Sequence, residues 1–326
     1  MTGARTLRLG TLRLGTRRSA LAMAQSGMVA RALEALHAGL TVELVPIVTR
    51  GDRMPGDLSA LGGKGLFTEE LEAGLLDGGL DLAVHSLKDL PVRSPAELTI
   101  AAYPERADAR DVLVSEAAAT VAELPHGARV LTGSLRRQAQ LLATRPDLAV
   151  EPLRGNVETR LRKWRQSGAE GVVLAAAGLR RLGFDDLPAH PLAAEEMLPA
   201  PGQGILALQV RRGGPAEATC AALDHAPSRA AARAERAVVA AFGGDCTLPL
   251  AAWARPGGWR ELGGLQLGGI WLAALLASPD GADVARAEVE GEPGEDPEAL
   301  AERCVALLRE AGAERVLAGL RAGRVG

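Results

Sequence analysis

The period of the apolar positions switches several times along this 326-residue chain. LRLG (12–15) and TVELVPIV (41–48) read as strands, and the segment between them, Ala20 to Ala38, carries apolar residues at helical spacing. Phe67, Leu71 and Leu75 recur at the same spacing until Gly78-Gly79 stops the helix, and DLAVH (81–85) follows as a short buried strand. This βαβα order predicts a mostly parallel sheet with ligands at the carboxyl ends of the strands. Residues 106–200 repeat the pattern, with strands at DVLV (111–114), ARVLT (128–132), LAVEPL (148–153) and GVVLA (171–175). YPER (103–106) reads as a crossover into a second lobe and LPAPGQG (198–204) as the return, after which ILALQV (205–210) is expected to rejoin the first sheet. From about Ser228 the chain turns alanine-rich. Ala230 to Phe242 reads as a helix, GGDC (243–246) as a loop, LPLAAWA (248–254) as a strand, and RPGG (255–258) as a turn. Further strands run through Glu290, and Asp296-Pro297 opens a final helix as cap and first-turn proline. The expected organisation is α/β with three domains: 7–105 plus 202–222, 106–201, and a smaller 223–326. Two crossovers between the first two lobes make a hinge, and clefts between lobes bind ligands.

Composition narrows the functions open to this fold. Hydrophobic residues make up 47% and charged residues 24%, as in an ordinary soluble globular protein. A net charge of −3 excludes a general polycation, and 2% aromatics leave few stacking platforms for single-stranded nucleic acid. Cys220, Cys246 and Cys304 are too few, and odd in number, for a disulfide framework, so a cytoplasmic setting is expected. No apolar run approaches ~18 residues and no apolar leader core follows the basic start, so neither a membrane span nor export is expected. TLRLG occurs twice in tandem (6–10 and 11–15), and the second copy leads into the first basic motif.

Arginine recurs where strands end. In TGSLRRQAQ (132–140), Arg136 and Arg137 enter a helix in its first turn, against the positive end of its dipole. Sequences avoid that arrangement unless a bound anion offsets it, and free N–H groups at a helix start bind anions readily. Arg17 and Arg18 follow LRLGT, Arg154 and Arg160 flank an Asn156 cap, and Arg180 and Arg181 end another apolar run. Four such strand ends suggest a cleft for a ligand bearing many carboxylates or phosphates. HSLKDLP (85–91) places Lys88 and Asp89 at a further strand end, where Asp89 is either a general acid–base or half of a surface ion pair. His85 reads as a packed, hydrogen-bonded histidine, and no His or Cys pattern has metal spacing. GGKGLFT (62–68) fails as a phosphate loop, with Leu58 where glycine should open it and Gly65 after the lysine, and Lys64 is left as an anion contact or a solvated side chain. Cys220 and Cys304 lie on apolar helical faces as core, whereas Cys246 sits in a glycine loop.

Nine segments, in this order, resemble the porphobilinogen deaminase (hydroxymethylbilane synthase) family over nearly the whole chain. They are RRSALA (17–22), TRGD (49–52), GGKGLF (62–67), VHSLKDLP (84–91), TGSLRRQ (132–138), LRGNVETRL (153–161), AGLRRLG (177–183), PGQG (201–204) and GGDC (243–246). The resemblance implies two lobes like those of type II periplasmic binding proteins and a small third domain. It implies a monomeric transferase that joins four porphobilinogen molecules head to tail, releasing ammonia, on a dipyrromethane cofactor held by a thioether to Cys246. Asp89 matches the catalytic aspartate. Lys88, Ser134, Arg136 and Arg137 match cofactor contacts, and Lys64 and Ser86 line the site. Arg17, Ser19, Gln25, Arg154, Arg160 and Arg181 match substrate contacts. The chemistry agrees, because porphobilinogen carries acetate and propionate and guanidinium forks suit carboxylates. Two positions depart from the family pattern: Asp245 precedes the cysteine, and Ala60 stands where a lysine is common. The rival reading is a non-catalytic, two-lobed anion-binding protein, since a fold alone does not specify catalysis.

Overall fold

A computed structural model describes residues 10–53, 68–243, 248–262 and 265–322. The chain divides into two compact units, with boundaries after Glu105, Ile205 and Ala226.

The first unit is built on a five-stranded sheet in the order β2-β1-β3-β10-β4. Its strands are β1 (Thr11–Arg17), β2 (Thr41–Ile47), β3 (Leu82–Ser86), β4 (Leu98–Ala102) and β10 (Leu206–Arg211). β1 is parallel to β2 and β3, while β10 enters antiparallel between β3 and β4. ILALQV therefore rejoins the first sheet as expected. Four of the five strands share one direction, the mostly parallel sheet that the order predicts, and only β10 is reversed, because a strand that returns from elsewhere enters from the opposite end. α1 (Ala20–Leu36) begins at Ser19, whose hydroxyl accepts from the Ala22 amide and so satisfies one free donor of the first turn. It buries Val29, Ala30 and Leu33 against Leu14, Val42 and Leu208, with Cys220 of α7 (Pro215–Ala221) in the same core. After the short α2 (Arg50–Arg53), α3 (Glu69–Leu76) covers the other face with Leu71 and Leu75.

The second unit holds two sheets. The larger repeats the layout of the first, β7-β6-β8-β5-β9, from β5 (Asp111–Val114), β6 (Arg129–Leu131), β7 (Ala149–Glu151), β8 (Gly171–Ala175) and β9 (Ala189–Pro191). β7, β6 and β8 are parallel, and β5 is antiparallel to β8 and β9. α4 (Leu135–Thr144) packs Leu141 on one face, and α5 (Val157–Ser167) and α6 (Ala176–Arg181) pack Leu161, Trp164 and Leu179 on the other. The Asn156 side chain caps α5 by accepting from the Thr159 amide at 2.8 Å, and a left-handed Gly168 ends it.

The smaller sheet is an antiparallel meander of β11 (Leu250–Leu262), β12 (Leu265–Ala277) and β13 (Val284–Glu290), preceded by α8 (Ala226–Ala241). α9 (Pro297–Glu310) starts at Asp296-Pro297 as the sequence indicates, but α10 (Ala313–Ala322) follows, so the chain ends in two helices. RPGG (255–258), expected as a turn, lies inside β11. The pairing with β12 shifts register between Pro256 and Trp259, a bulge that absorbs the glycines. β11 is an edge strand, where a proline without an N–H is tolerated.

Candidate functional site

In the first unit, the carboxyl ends of the parallel neighbours β1 and β3 bring six of the expected residues together. Gly15 pairs with Ala83, so the chain leaving β1 at Arg17 runs beside the chain leaving β3 at Ser86. Gln25, one turn into α1, donates to the Ser86 hydroxyl at 3.0 Å and also accepts from it. Ser19 spends its oxygen on the α1 cap and keeps its O–H to donate. Ser86 opens a single 3-10 turn, Leu87–Asp89, that buries Leu87 and leaves Lys88 half-buried and Asp89 exposed. The buried His85 behind this turn meets Gln209 Oε1 at 2.9 Å, and Gln209 donates onward to Glu72. Burial lowers His85 to about 4, and the nearby Arg17 charge adds to the effect. His85 is thus the packed, neutral histidine that the sequence suggested, buried on β3 just before the Leu87–Asp89 turn.

In the second unit, the loops after β6 and β7 are laced together. Leu153 donates to the Thr132 carbonyl and Thr132 to the Glu151 carbonyl. Gly133 makes this approach possible, since a Cβ there would overlap the Leu153 carbonyl oxygen. The Arg160 guanidinium lies 4.0 Å from that same Cβ position and donates to the Gly155 carbonyl at 2.8 Å. Ser134 occupies the cap position of α4 without a side-chain cap bond, next to the exposed Arg154 loop. Ser134, Arg154 and Arg160 therefore share one end of the sheet.

Arg136 and Arg137 follow Ser134 and turn inward, each only 4% exposed. Arg136 donates to Asp111 Oδ2 at 2.7 Å, and Arg137 donates to Asp111 Oδ1 through Nε at 3.1 Å and Nη2 at 2.7 Å. Arg136 also reaches the Leu198 carbonyl and Arg137 the Val173 carbonyl. The anion that offsets two cations at a helix start is thus the protein's own Asp111, which corrects the inference that the dipole alone requires a bound one. Asp111 is fully buried and also accepts from Gln203 Nε2 at 2.8 Å. Burial alone would raise its carboxyl, yet the two guanidiniums hold it well below the usual range. Burial lowers Arg136, and Arg137 adds to this while Asp111 opposes it. Two cations on one anion leave the cluster with net positive charge.

Arg181 ends α6 half-buried. Nη2 donates to the Gly204 carbonyl at 2.7 Å, while Nε is fully buried with no partner among the described residues. Desolvation pushes this guanidinium down to about 10. A buried donor left unmade costs on the order of 1–3 kcal/mol. Cys246 and Lys64, and with them Asp245 and Ala60, lie outside the described residues.

Sequence reasoning missed Asp111 and the polar thread behind it. Gln203 bonds both Asp111 and the Ala109 carbonyl, and Arg106 donates to the Gln203 carbonyl and to Glu235. Glu235 is fully buried and accepts further from the Gly202 and Ala254 amides. Burial raises its carboxyl, against the pull of Arg106 and those amides. The available signal was an aspartate opening a strand that is buried throughout, since such a carboxylate needs a cation.

Two five-stranded sheets, with arginines in the loops and helices that follow their strands, define an α/β protein with cations gathered beyond the strand ends. The family model "Porphobilinogen deaminase, dipyromethane cofactor binding domain" matches residues 12–218, and "Porphobilinogen deaminase, C-terminal domain" matches 230–310. The chain belongs to the porphobilinogen deaminase family. Similar proteins carrying that name include one from Roseiflexus castenholzii, 44% identical over 95% of this chain and 99% of its own. Those from Xanthomonas euvesicatoria pv. vesicatoria (46%, 95% and 99%) and Rubrobacter xylanophilus (46%, 96% and 98%) match to the same extent.

Proposed function

We propose that this chain is the transferase that joins four porphobilinogen molecules head to tail into linear hydroxymethylbilane, on a dipyrromethane thioether-linked to Cys246. The observation that carries this reading is the family match across both the cofactor-binding and the C-terminal regions. It favours a catalyst over a binding protein, because a carrier has no use for a cofactor-binding domain. The residues fit such a group: the net positive Arg136–Arg137–Asp111 cluster, the spare Arg181 Nε and the uncapped Ser134 hydroxyl all suit a ligand of several carboxylates.

When bound, the dipyrromethane supplies a tethered primer with a free pyrrole α-carbon. Lys88, Ser134, Arg136 and Arg137 hold its carboxylates, with Lys64 and Ser86 lining the site. Arg17, Ser19, Gln25, Arg154, Arg160 and Arg181 hold those of the incoming porphobilinogen. Each condensation would break one aminomethyl C–N bond, form one C–C bond and move one α-proton, with ammonia as the net leaving group; after the fourth, water would cleave the C–C bond to the primer and supply the hydroxyl of the product. Asp89 accepts a hydrogen bond from the substrate pyrrole N–H, stabilises the positive charge that builds as ammonia leaves, and assists the proton transfer. Cys246 would hold the group as an anchor rather than turn over, and the tether would make the primer's reaction effectively intramolecular. Residues 106–201 then serve as the anion-binding lobe and 223–326 as the attachment domain. No helix among the described residues is long and apolar enough to cross a membrane, and the reading takes the enzyme as a cytoplasmic monomer.

Intact-protein mass after expression in a porphobilinogen-producing cell tests the proposal. The expected mass exceeds the bare chain by one dipyrromethane. A bare-chain mass overturns the reading. Asp89→Ala is expected to load normally and to lose turnover by on the order of a hundredfold or more, whereas near-normal turnover rejects Asp89.

A further inference from the structure

α4, which carries Arg136 and Arg137, is gripped from the side of the smaller sheet. Ala139 is fully buried and packs among Ala251, Ala273, Leu275 and Ala277 of β11 and β12. Facing alanines let backbones approach closely. The closest approach is made by the β12–β13 connection, Ser278 to Asp283. Gly281 there has φ +73° and lies flat on the helix. A Cβ on it would overlap the Ala143 amide nitrogen and stand 2.7 Å from the Ala139 carbonyl oxygen and the Leu142 carbonyl carbon. Both the left-handed backbone and the absence of a side chain are therefore used at this position.

The connection is stiff in its own right. Ser278 and Asp283 exchange backbone and side-chain bonds, the Ser278 amide to the Asp283 carbonyl at 2.8 Å and the Asp283 amide to the Ser278 hydroxyl at 2.9 Å. The Gly281 amide donates to the Ser278 carbonyl, and Asp280 accepts from the Ser278 hydroxyl and the Ala282 amide. From the helix side, Gln138, the residue after Arg137, donates to the Pro279 carbonyl at 3.2 Å. A rigid turn is thus keyed to the outside of α4 while Asp111 grips its two arginines from the inside.

We infer that the Ser278–Asp283 turn, through Gly281, is a positioning element for cofactor capture, setting α4 so that Arg136 and Arg137 stand where the cofactor's carboxylates arrive. This rests on the cofactor reading above and adds a mechanical part to it: the sheet that follows the attachment loop in sequence also seats the arginine helix. Any side chain at position 281 must lift the turn or push α4 along its axis. Either movement displaces the guanidiniums without removing a single ligand-contacting group.

The test starts from full-length chain produced without porphobilinogen. Porphobilinogen is then added, and the mass gain is followed with time and concentration. For Gly281→Ala the porphobilinogen concentration giving half-maximal loading rate is expected to rise on the order of tenfold, because displacing a positioned group by about 1 Å is costly. Gln138→Leu, which breaks the turn contact from the helix side, is expected to move it in the same direction by a smaller factor. Leu308→Ala, a cavity variant in α9, serves as the stability control: it is expected to lower the melting temperature and leave the half-loading concentration unchanged. If Gly281→Ala and Gln138→Leu both load at the wild-type concentration, or Leu308→Ala shifts it equally, the inference is overturned while the function stands. If the wild-type chain gains no mass at all, both fall.

Discussion

Asp111 shows how a single buried carboxylate organises cations that would otherwise repel. It receives three guanidinium bonds and one amide bond with no exposure to water. Asp111→Asn keeps the shape and removes the charge, leaving two arginines buried against each other. Unfolding in urea should show a loss of about 3–5 kcal/mol at neutral pH, the usual cost of stripping one partner from a buried ion pair. Because the folded carboxyl lies below its unfolded value, its stabilisation is present at neutral pH and is lost only as pH falls below the ordinary aspartate range. His85 titrates in a higher window. Its folded value of about 4 lies below the unfolded ~6.5, so the unfolded chain binds the extra proton between those values. The contribution of His85 is therefore flat above ~6.5 and falls as pH drops toward 4, by on the order of 3 kcal/mol. His85→Gln should flatten this acid limb, which urea midpoints at pH 7 and pH 4.5 would reveal. An unchanged limb would mean that another group titrates there.

At the scale of elements, loops and strands share backbone groups across the second unit. Gly133 lets the β6–α4 and β7–α5 loops touch, so Gly133→Ala must separate Thr132 from Leu153. The expected cost is about 1–3 kcal/mol by thermal or urea unfolding, as for other overpacked sites. If the variant keeps wild-type stability, the loops are not in contact. β11 shows where local reading of turn residues fails. Arg255 to Gly258 has turn composition, yet β12 offers a long partner and the strand continues through a bulge. Arg255 then lies 4.5 Å from the Trp271 ring centroid, and Trp253 meets Trp271 edge-on. The outer edge of β11 is closed by other segments: Ala252 donates to the Pro199 carbonyl and Ala254 to Glu235. An edge strand so covered cannot template pairing with another chain there.

For the whole molecule, thiol chemistry offers a way to separate the proposed anchor, Cys246, from the core cysteines. Burial pushes both Cys220 and Cys304 up to about 12, which leaves roughly one thiolate in ten thousand at pH 8. A thiol-alkylating reagent should therefore label neither in the native protein. In denaturant, a cofactor-loaded chain should take two labels and an unloaded one three, counted by mass; three labels on a chain already carrying added mass would mean that Cys246 is not the attachment point. Most of the strand and helix order, the return of ILALQV to the first sheet, the Asn156 cap and the packed His85 were legible along the chain through periodicity, capping and burial, whereas the short strands β4 and β9 and the helices α7 and α10 were not. The membership of a family was legible too, while Arg180 and Arg181, read as closing a strand, instead end the helix α6. Asp111 beneath Arg136 and Arg137, the Gln203–Arg106–Glu235 thread and the Gly281 seat on α4 join residues far apart in sequence. Only the folded chain, by burying charges that must then find partners and by pressing backbones closer than any side chain allows, decided which of them meet.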